Sequence, residues 1–331
     1  MNSSSEWAPR PPSDSPGVLD IRDVTVRFGG VTALDSVSFA AAPCQVTGVI
    51  GPNGAGKTTL LNVLCGFVKP DAGRLTFGDT DLTGLKPHKL ASLGIARTLQ
   101  NIGLFPGLTV CENVMAGANC HARAGFWAGV AGLRRSDRDE RTLRRRALAA
   151  LDRVGIADTA DSLPGQLPFA HRKRLALARV LAAQPRLLLL DEPASGLTET
   201  ELPELGRLIS NLAADASVVV IEHRMDLMMS VCDTIAVLDF GKLIAFGTPQ
   251  QVQADPAVTD AYLGAERSGT EQSGTEQSGA ERSGAEPARA ERSAEAAPHD
   301  EPAPHDGPPN DEPPNDRPTQ SEPTAEERPH D

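Results

Sequence analysis

Apolar and polar residues alternate loosely at the start of the chain and then condense into unbroken apolar runs. Leu19 to Phe28 is rich in β-branched residues, and its alternation places Val24, Val26 and Phe28 on one face of a strand. Val37-Ser38-Phe39 continues this β region, and Gly73 to Phe77 predicts a further short strand after the Lys69-Pro70-Asp71-Ala72-Gly73 turn. Three runs carry almost no polar interruption: Val46 to Ile50, Leu187 to Leu190 and Val218 to Ile221. Short apolar runs of this kind read as strands covered on both faces, as in a parallel sheet. Helical patterns separate them. Leu60-Leu61-Asn62-Val63-Leu64 opens one helix. Thr109 to His121 predicts another, with Thr109 as N-cap and Glu112 three residues on. Arg141 to Val154 places Leu143, Leu148, Leu151 and Val154 at helical spacing, and further helices are expected from about Arg172 to Ala183 and from Glu199 to Ala214. Ile95 to Gln100 reads as a β run that Leu104-Phe105-Pro106 ends. Thr234 to Asp239 and Lys242 to Phe246 form a hairpin around Gly241. The fold class is α/β.

Composition alters this picture at the two ends. From residue 265 onward short units such as Ser-Gly-Thr-Glu-Gln repeat, and the chain then becomes rich in Pro, Asp and Glu. Residues 265–331 hold 17 acidic and 6 basic side chains, so they carry −11 of the net −12 and leave −1 for residues 1–264. With no Val, Ile, Leu or aromatic residue, this tail lacks the apolar surface that would offset ordering, and it is expected to be disordered. The Ser- and Pro-rich residues 1–17 are expected to be disordered as well. The near-neutral remainder lacks the basic excess of a nucleic-acid binder. Arg144-Arg145-Arg146, with Asp137, Asp139 and Glu140 nearby, reads as a solvated helix face. No uncharged apolar stretch approaches the ~18 residues of a membrane span, and the N-terminus has no signal-peptide core. Cys44, Cys65, Cys111, Cys120 and Cys232 show no Cys-x-x-Cys pairing, so buried reduced thiols and a cytosolic location are expected.

The chemistry centres on Gly51-Pro52-Asn53-Gly54-Ala55-Gly56-Lys57-Thr58-Thr59. A strand before this stretch and a helix after it are the context of a phosphate-binding P-loop. Glycines let backbone amides converge on an anion, and the helix N-terminus adds its positive dipole. Lys57 reaches the β- and γ-phosphates, and the Thr58 hydroxyl serves Mg²⁺. Leu187-Leu188-Leu189-Leu190-Asp191-Glu192-Pro193 then delivers two carboxylates to the C-terminal end of a buried strand, where parallel α/β sheets bind ligands. Asp191 fits the Mg²⁺ side, and Glu192 fits a base that accepts the proton of an attacking water. His223 ends another such strand, as a surface histidine or as a group facing the γ-phosphate. Phe28, just before Gly29-Gly30, is either a core aromatic or an adenine platform. Gly125-Phe126-Trp127-Ala128-Gly129-Val130 is an apolar loop-like patch, either core or membrane-facing.

In this order the pieces resemble the ATP-binding subunit of an ABC transporter, over about residues 18–264. The match is closest to branched-chain amino-acid uptake subunits, through Gly94 to Asn101, Leu104-Phe105-Pro106, Glu192 to Leu197, Ile221-Glu222-His223 and Ala261-Tyr262-Leu263-Gly264. Similar subunits serve urea and short amides. The resemblance implies a P-loop NTPase fold with a mainly parallel core sheet, an antiparallel β region and a helical subdomain at about 101–183. It implies that ATP and Mg²⁺ are bound, that Phe28 stacks on adenine, and that Gln100 senses the γ-phosphate and coordinates Mg²⁺ or the attacking water. It further implies that Glu192 polarises that water and that His223 holds the γ-phosphate. The implied partners are a second ATPase subunit meeting this one head to tail, two transmembrane permease subunits and an extracytoplasmic solute-binding protein. The implied place is the cytoplasmic face of the membrane.

One segment departs from the family. Where relatives read Leu-Ser-Gly-Gly-Gln or Leu-Ser-Tyr-Gly-Gln, this chain has Leu167-Pro168-Phe169-Ala170-His171. The serine hydroxyl is gone, and Pro168 lacks an amide hydrogen. This signature acts on the partner's ATP, so an asymmetric heterodimer is expected. Thr198 stands where many relatives carry Asp. A nucleotide-binding regulator without turnover is the competing reading, and the presence of Gln100, Glu192 and His223 opposes it. Soluble ABC proteins of translation or repair carry two cassettes or a long coiled coil, and neither is found here. No Asn-Lys-x-Asp guanine-reading motif occurs.

Overall fold

The computed structural model describes residues 17–98, 103–118 and 134–262. Gln100, Cys120, the Phe126-Trp127 patch, Leu263-Gly264, the acidic tail and the first sixteen residues lie outside the described residues.

The strands divide between two sheets. Strands β1 (Leu19–Phe28), β2 (Val31–Ala41), β4 (Ala72–Phe77) and β5 (Thr80–Asp81) pair antiparallel in the order β2-β1-β4-β5. Strands β3 (Val46–Ile50), β6 (Ile95–Arg97), β7 (Leu187–Asp191), β8 (Ser217–Ile221), β9 (Thr234–Asp239) and β10 (Lys242–Gly247) form the second sheet, in the order β10-β9-β3-β8-β7-β6. Every pairing in it is parallel except β9 with β10. All residues of β3, β7 and β8 are buried, as the unbroken apolar runs predict for strands covered on both faces.

The two-residue period of a strand divides the core. Leu188, Leu190, Val218 and Val220 belong to one apolar cluster, whereas Leu187, Leu189, Val219 and Ile221 belong to the other. The first face is covered by α2 (Val110–Gly117), α3 (Arg134–Arg153), α4 (Phe169–Leu181), α5 (Leu202–Leu212) and α6 (Met225–Val231). The second is covered by α1 (Lys57–Leu64) and the antiparallel sheet. Helix α2 opens with the expected box. The Thr109 hydroxyl accepts from the Glu112 amide at 3.2 Å, and the Thr109 amide donates to Glu112 Oε2 at 2.7 Å. This bond holds the Glu112 carboxyl below its ordinary range. Helix α2 meets α4 at Gly117, where a Cβ would lie 2.0 Å from the Arg179 carbonyl oxygen.

Several local expectations need correction. Phe28 does not join Val24 and Val26 in the core. Both valines are buried in one apolar cluster, but the β1–β2 register shifts on either side of Val26, and Phe28, the last residue of β1, is 53% exposed at the turn. Helix α4 begins at Phe169, three residues earlier than expected, directly after Pro168, whose ring fixes φ near −54°. Strand β6 ends at Arg97 rather than Gln100, helix α3 opens at Arg134, and α5 spans a shorter stretch than Glu199 to Ala214. Cys44 is exposed at a turn with a φ of 55°, unlike the buried Cys65, Cys111 and Cys232.

Candidate functional site

The P-loop leaves β3 at its C-terminal end and closes on α1. Gly51 must be glycine, since a Cβ would meet the Leu238 carbonyl oxygen of β9 at 2.2 Å. Gly56, with a φ of 101°, is the N-cap of α1, and no side chain caps the helix. The first-turn amides of Lys57, Thr58 and Thr59 have no carbonyl within the helix to bond, and a helix start of this kind is suited to an anion. The first turn holds no acidic residue that would oppose an anion. Lys57 Nζ donates to the carbonyls of Gly51 at 2.7 Å and Pro52 at 2.8 Å. Burial lowers its pKa, and the negative charge of Glu192 works against that shift. Phosphate oxygens entering the loop would take the same donors. Phe28 stands open to solvent at the β1–β2 turn. The same strand pair reaches the loop at Ala33, whose carbonyl oxygen would lie 2.7 Å from a Cβ on Gly56.

Strands β7 and β8 end beside this loop. Asp191 closes β7 and is 8% exposed. Glu192 follows in the left-handed region, with a φ of 44°, a conformation that costs about 1–3 kcal/mol for a non-glycine residue. Its surroundings fix it there. The Glu192 amide donates to the Ile221 carbonyl at 2.9 Å, and the Ser195 amide donates to the Glu192 carbonyl at 3.1 Å. Lys173 Nζ donates to the Pro193 carbonyl at 3.0 Å, and burial lowers its pKa against the pull of Glu222 and Glu192. Glu222 is fully buried and accepts from the amides of Ala194 at 2.7 Å and His223 at 3.1 Å. The His223 ring is 57% exposed, with Nδ1 3.6 Å from the Glu222 carboxylate. Thus Lys57, Asp191, Glu192 and His223 all lie at the C-terminal ends of the adjacent parallel strands β3, β8 and β7.

The segment Leu167-Pro168-Phe169-Ala170-His171 is built differently. Leu167 is buried and anchors it, and Pro168 is the N-cap of α4 without a side-chain hydrogen bond. Phe169, Ala170 and His171 form the first turn, so their amides keep the orphan donors of a helix start. The Phe169 ring packs over Gly196, where a Cβ would approach it to 2.8 Å. Phe169 and Lys173 together tie this helix to the loop after Glu192. His171 Nδ1 is buried and has no hydrogen-bond partner among the described residues. Thr198 donates through its amide and hydroxyl to Glu201 Oε2, at 2.7 and 2.8 Å, and lowers that carboxyl's pKa.

Residues 34–195 match the ABC transporter family, and residues 242–268 match the family of branched-chain amino acid ATP-binding cassette transporters. Over 249 residues the chain is 39% identical to BraF of Pseudomonas aeruginosa, a high-affinity branched-chain amino acid transport ATP-binding protein, covering 75% of this chain and 98% of that one. The chain belongs to the ABC transporter ATP-binding family. The cassette is 36% identical to LivG of Escherichia coli strain K12, named for the same transport, again over 75% of this chain and 98% of the relative. Its fold superposes on the ADP conformation of MJ1267, an ATP-binding cassette of an ABC transporter, with a TM-score of 0.65 and 30% identity over 75% of this chain and 99% of that one. A nucleotide-free cassette from an ABC transporter gives a TM-score of 0.64 at 29% identity, over 74% of this chain and 98% of that one. The α/β class and the ABC ATPase fold expected from the sequence hold.

The cassette also places beside the site three residues to which the sequence assigns no role. Glu222 sits inside the run Val218-Val219-Val220-Ile221-Glu222, and a carboxylate that continues a fully buried strand is itself the signal of a partnered group. Lys173 lies one turn into α4. Arg97 occupies the last position of β6 and pairs with Asp191 at 2.8 Å. Its signal was a lone cation in an otherwise apolar strand.

Proposed function

We propose that this cassette hydrolyses ATP to power an importer of branched-chain amino acids. The observation that carries the substrate class is the match of residues 242–268 to the branched-chain family, beside two relatives named for that transport. In this reading ATP lies along Gly51 to Thr59 with its adenine on Phe28. Lys57 leaves the Gly51 and Pro52 carbonyls for the β- and γ-phosphates. The Thr58 hydroxyl and the Asp191 carboxylate are hard oxygen donors suited to Mg²⁺. No cluster of three or more His, Cys, Asp or Glu occurs among the described residues, which suits a cation held largely by substrate phosphates. When bound there, Mg²⁺ offsets the charge that builds on the phosphates. Gln100 is assigned beside it, outside the described residues. Glu192 accepts the proton of a water whose oxygen bonds to the γ-phosphorus. The bond to the bridging oxygen then breaks and ADP leaves with its electrons. His223 donates to the γ-phosphate.

The partners in this reading are a second cassette, with a heterodimer favoured by the altered signature, two permease subunits and an extracytoplasmic solute-binding protein. In this reading the chain sits on the cytoplasmic face through its permeases; no described helix is long and apolar enough to cross a membrane. The test is uptake in cells lacking this chain. Labelled leucine, isoleucine and valine uptake should be lost, restored by the unaltered chain and not by Glu192→Gln, which should cut ATP turnover about 10²–10⁴-fold while ATP still binds. Loss of urea or short-amide uptake instead would replace the substrate assignment.

A further inference from the structure

We propose that Arg97 is a positioning residue that holds Asp191 for the divalent cation and competes with that cation for the same carboxylate. The inference rests on the assignment of Asp191 to the cation side of bound ATP. Two consecutive residues at the end of β6 grip this aspartate. The Thr98 hydroxyl accepts from the Asp191 amide at 3.2 Å, and Arg97 Nη2 donates to Asp191 Oδ2 at 2.8 Å. The pair is largely withdrawn from water, with 19% of the Arg97 side chain and 8% of the Asp191 side chain exposed. Arg97 Nη1 lies 3.4 Å from Asn62 Oδ1 on α1, and the guanidinium stands 5.9 Å from the centroid of the Phe67 ring. One cation therefore joins the P-loop helix, the edge strand and the aspartate. Its Nε is buried without a hydrogen-bond partner among the described residues, so the side chain is placed for the carboxylate and not for its own full satisfaction.

The consequence follows from charge. A buried carboxylate needs a compensating cation, and removing that cation leaves it uncompensated. Arg97 fills this role before Mg²⁺ arrives. With a cation bound at this aspartate, two positive groups would share one carboxylate, whose Oδ2 already accepts from Arg97. By linkage, Arg97 must then weaken cation binding while keeping the carboxylate oriented. A merely structural arginine would not produce effects of opposite sign on affinity and rate.

The experiment titrates Mn²⁺ into the full chain loaded with ADP, reads bound metal by paramagnetic resonance, and measures Mg²⁺-dependent ATP turnover in parallel. In Arg97→Gln, Mn²⁺ should bind about 3- to 10-fold more tightly while kcat falls about tenfold, because a displaced group of about 1 Å costs up to 10²-fold. Arg97→Lys keeps the charge and loses the planar fork, so its Mn²⁺ affinity should stay near that of the unaltered chain with a smaller loss in kcat. This variant also serves if Arg97→Gln fails to fold. Unchanged or weaker Mn²⁺ binding in Arg97→Gln, or tighter binding in Arg97→Lys, would overturn the proposal. Asp191→Asn separates the two layers. If it weakens Mn²⁺ binding, the cation assignment stands and Arg97 is judged alone. If it leaves binding unchanged, that assignment fails and takes the Arg97 proposal with it.

Discussion

The P-loop and the Pro168 segment are two helix starts built on the same backbone physics and furnished with opposite side chains. Helix α1 opens after Gly56 and helix α4 after Pro168, and neither N-cap contributes a side-chain hydrogen bond. Each leaves first-turn amides for an anion. The difference lies in what surrounds them. At α1, Lys57 is half-buried and lies near Glu192, and the Thr58 hydroxyl is exposed beside it. At α4, Phe169 and Lys173 turn toward the loop after Glu192 rather than toward a ligand. One helix start carries a charged side chain and a hydroxyl beside its amides, and the other keeps only the amides plus a mechanical link to the loop after Glu192.

The sharpest way to break the comparison is Lys57→Ala. If α1 owes its function to backbone donors alone, as α4 does, ATP turnover should change little. We expect instead a loss of about 10²–10³-fold, the cost of one preorganised donor to developing phosphate charge, with weakened ATP binding. The fold should survive, since the hydrogen bonds of Lys57 Nζ go to two carbonyls of its own loop, Gly51 and Pro52. Turnover and nucleotide affinity measured together decide the matter.

A smaller effect is expected from restoring the signature by Pro168→Ser, Ala170→Gly and His171→Gln. With its partner cassette present, turnover should rise about tenfold. That is less than the ~10²–10³-fold of a single catalytic donor, because the first-turn amides of Phe169, Ala170 and His171 are already in place. Serine at the N-cap of α4 would also stabilise the helix by about 1 kcal/mol. A higher melting temperature with no rise in turnover would mean that the serine caps α4, and would sink the asymmetric-site idea.

These contrasts explain what could be read from the sequence. The buried parallel strands were legible because covering both faces leaves no polar position, as in Leu187 to Leu190. The P-loop was legible because its glycines answer local steric demands, such as Gly51 against Leu238. Pairings across the sheet were not legible. Nothing near Arg97 in the chain points to Asp191, 94 residues away, or near Glu222 to the Ala194 amide, 28 residues away. The exposure of Phe28 was hidden for another reason. The β1–β2 register shifts on either side of Val26 just before the turn, and such irregularities cannot be seen in a pattern that assumes a strict two-residue period.

Phe28 frames the smallest predicted effect. It is 53% exposed at the turn beside the strand that backs Gly56. Phe28→Ala should therefore leave folding stability within about 0.5 kcal/mol, as for other exposed positions. If the ring stacks on adenine, the loss of about 0.5–1.5 kcal/mol raises the KM for ATP about 2- to 10-fold. At saturating ATP, kcat should stay unchanged, because the ring is remote from the transferred phosphate and binds ground state and transition state alike. Phe28→Tyr should retain the KM, since a stacking platform needs a flat face and not a particular substituent. A KM that does not move in Phe28→Ala would mean that the P-loop alone carries the affinity and that the exposed ring serves a different surface.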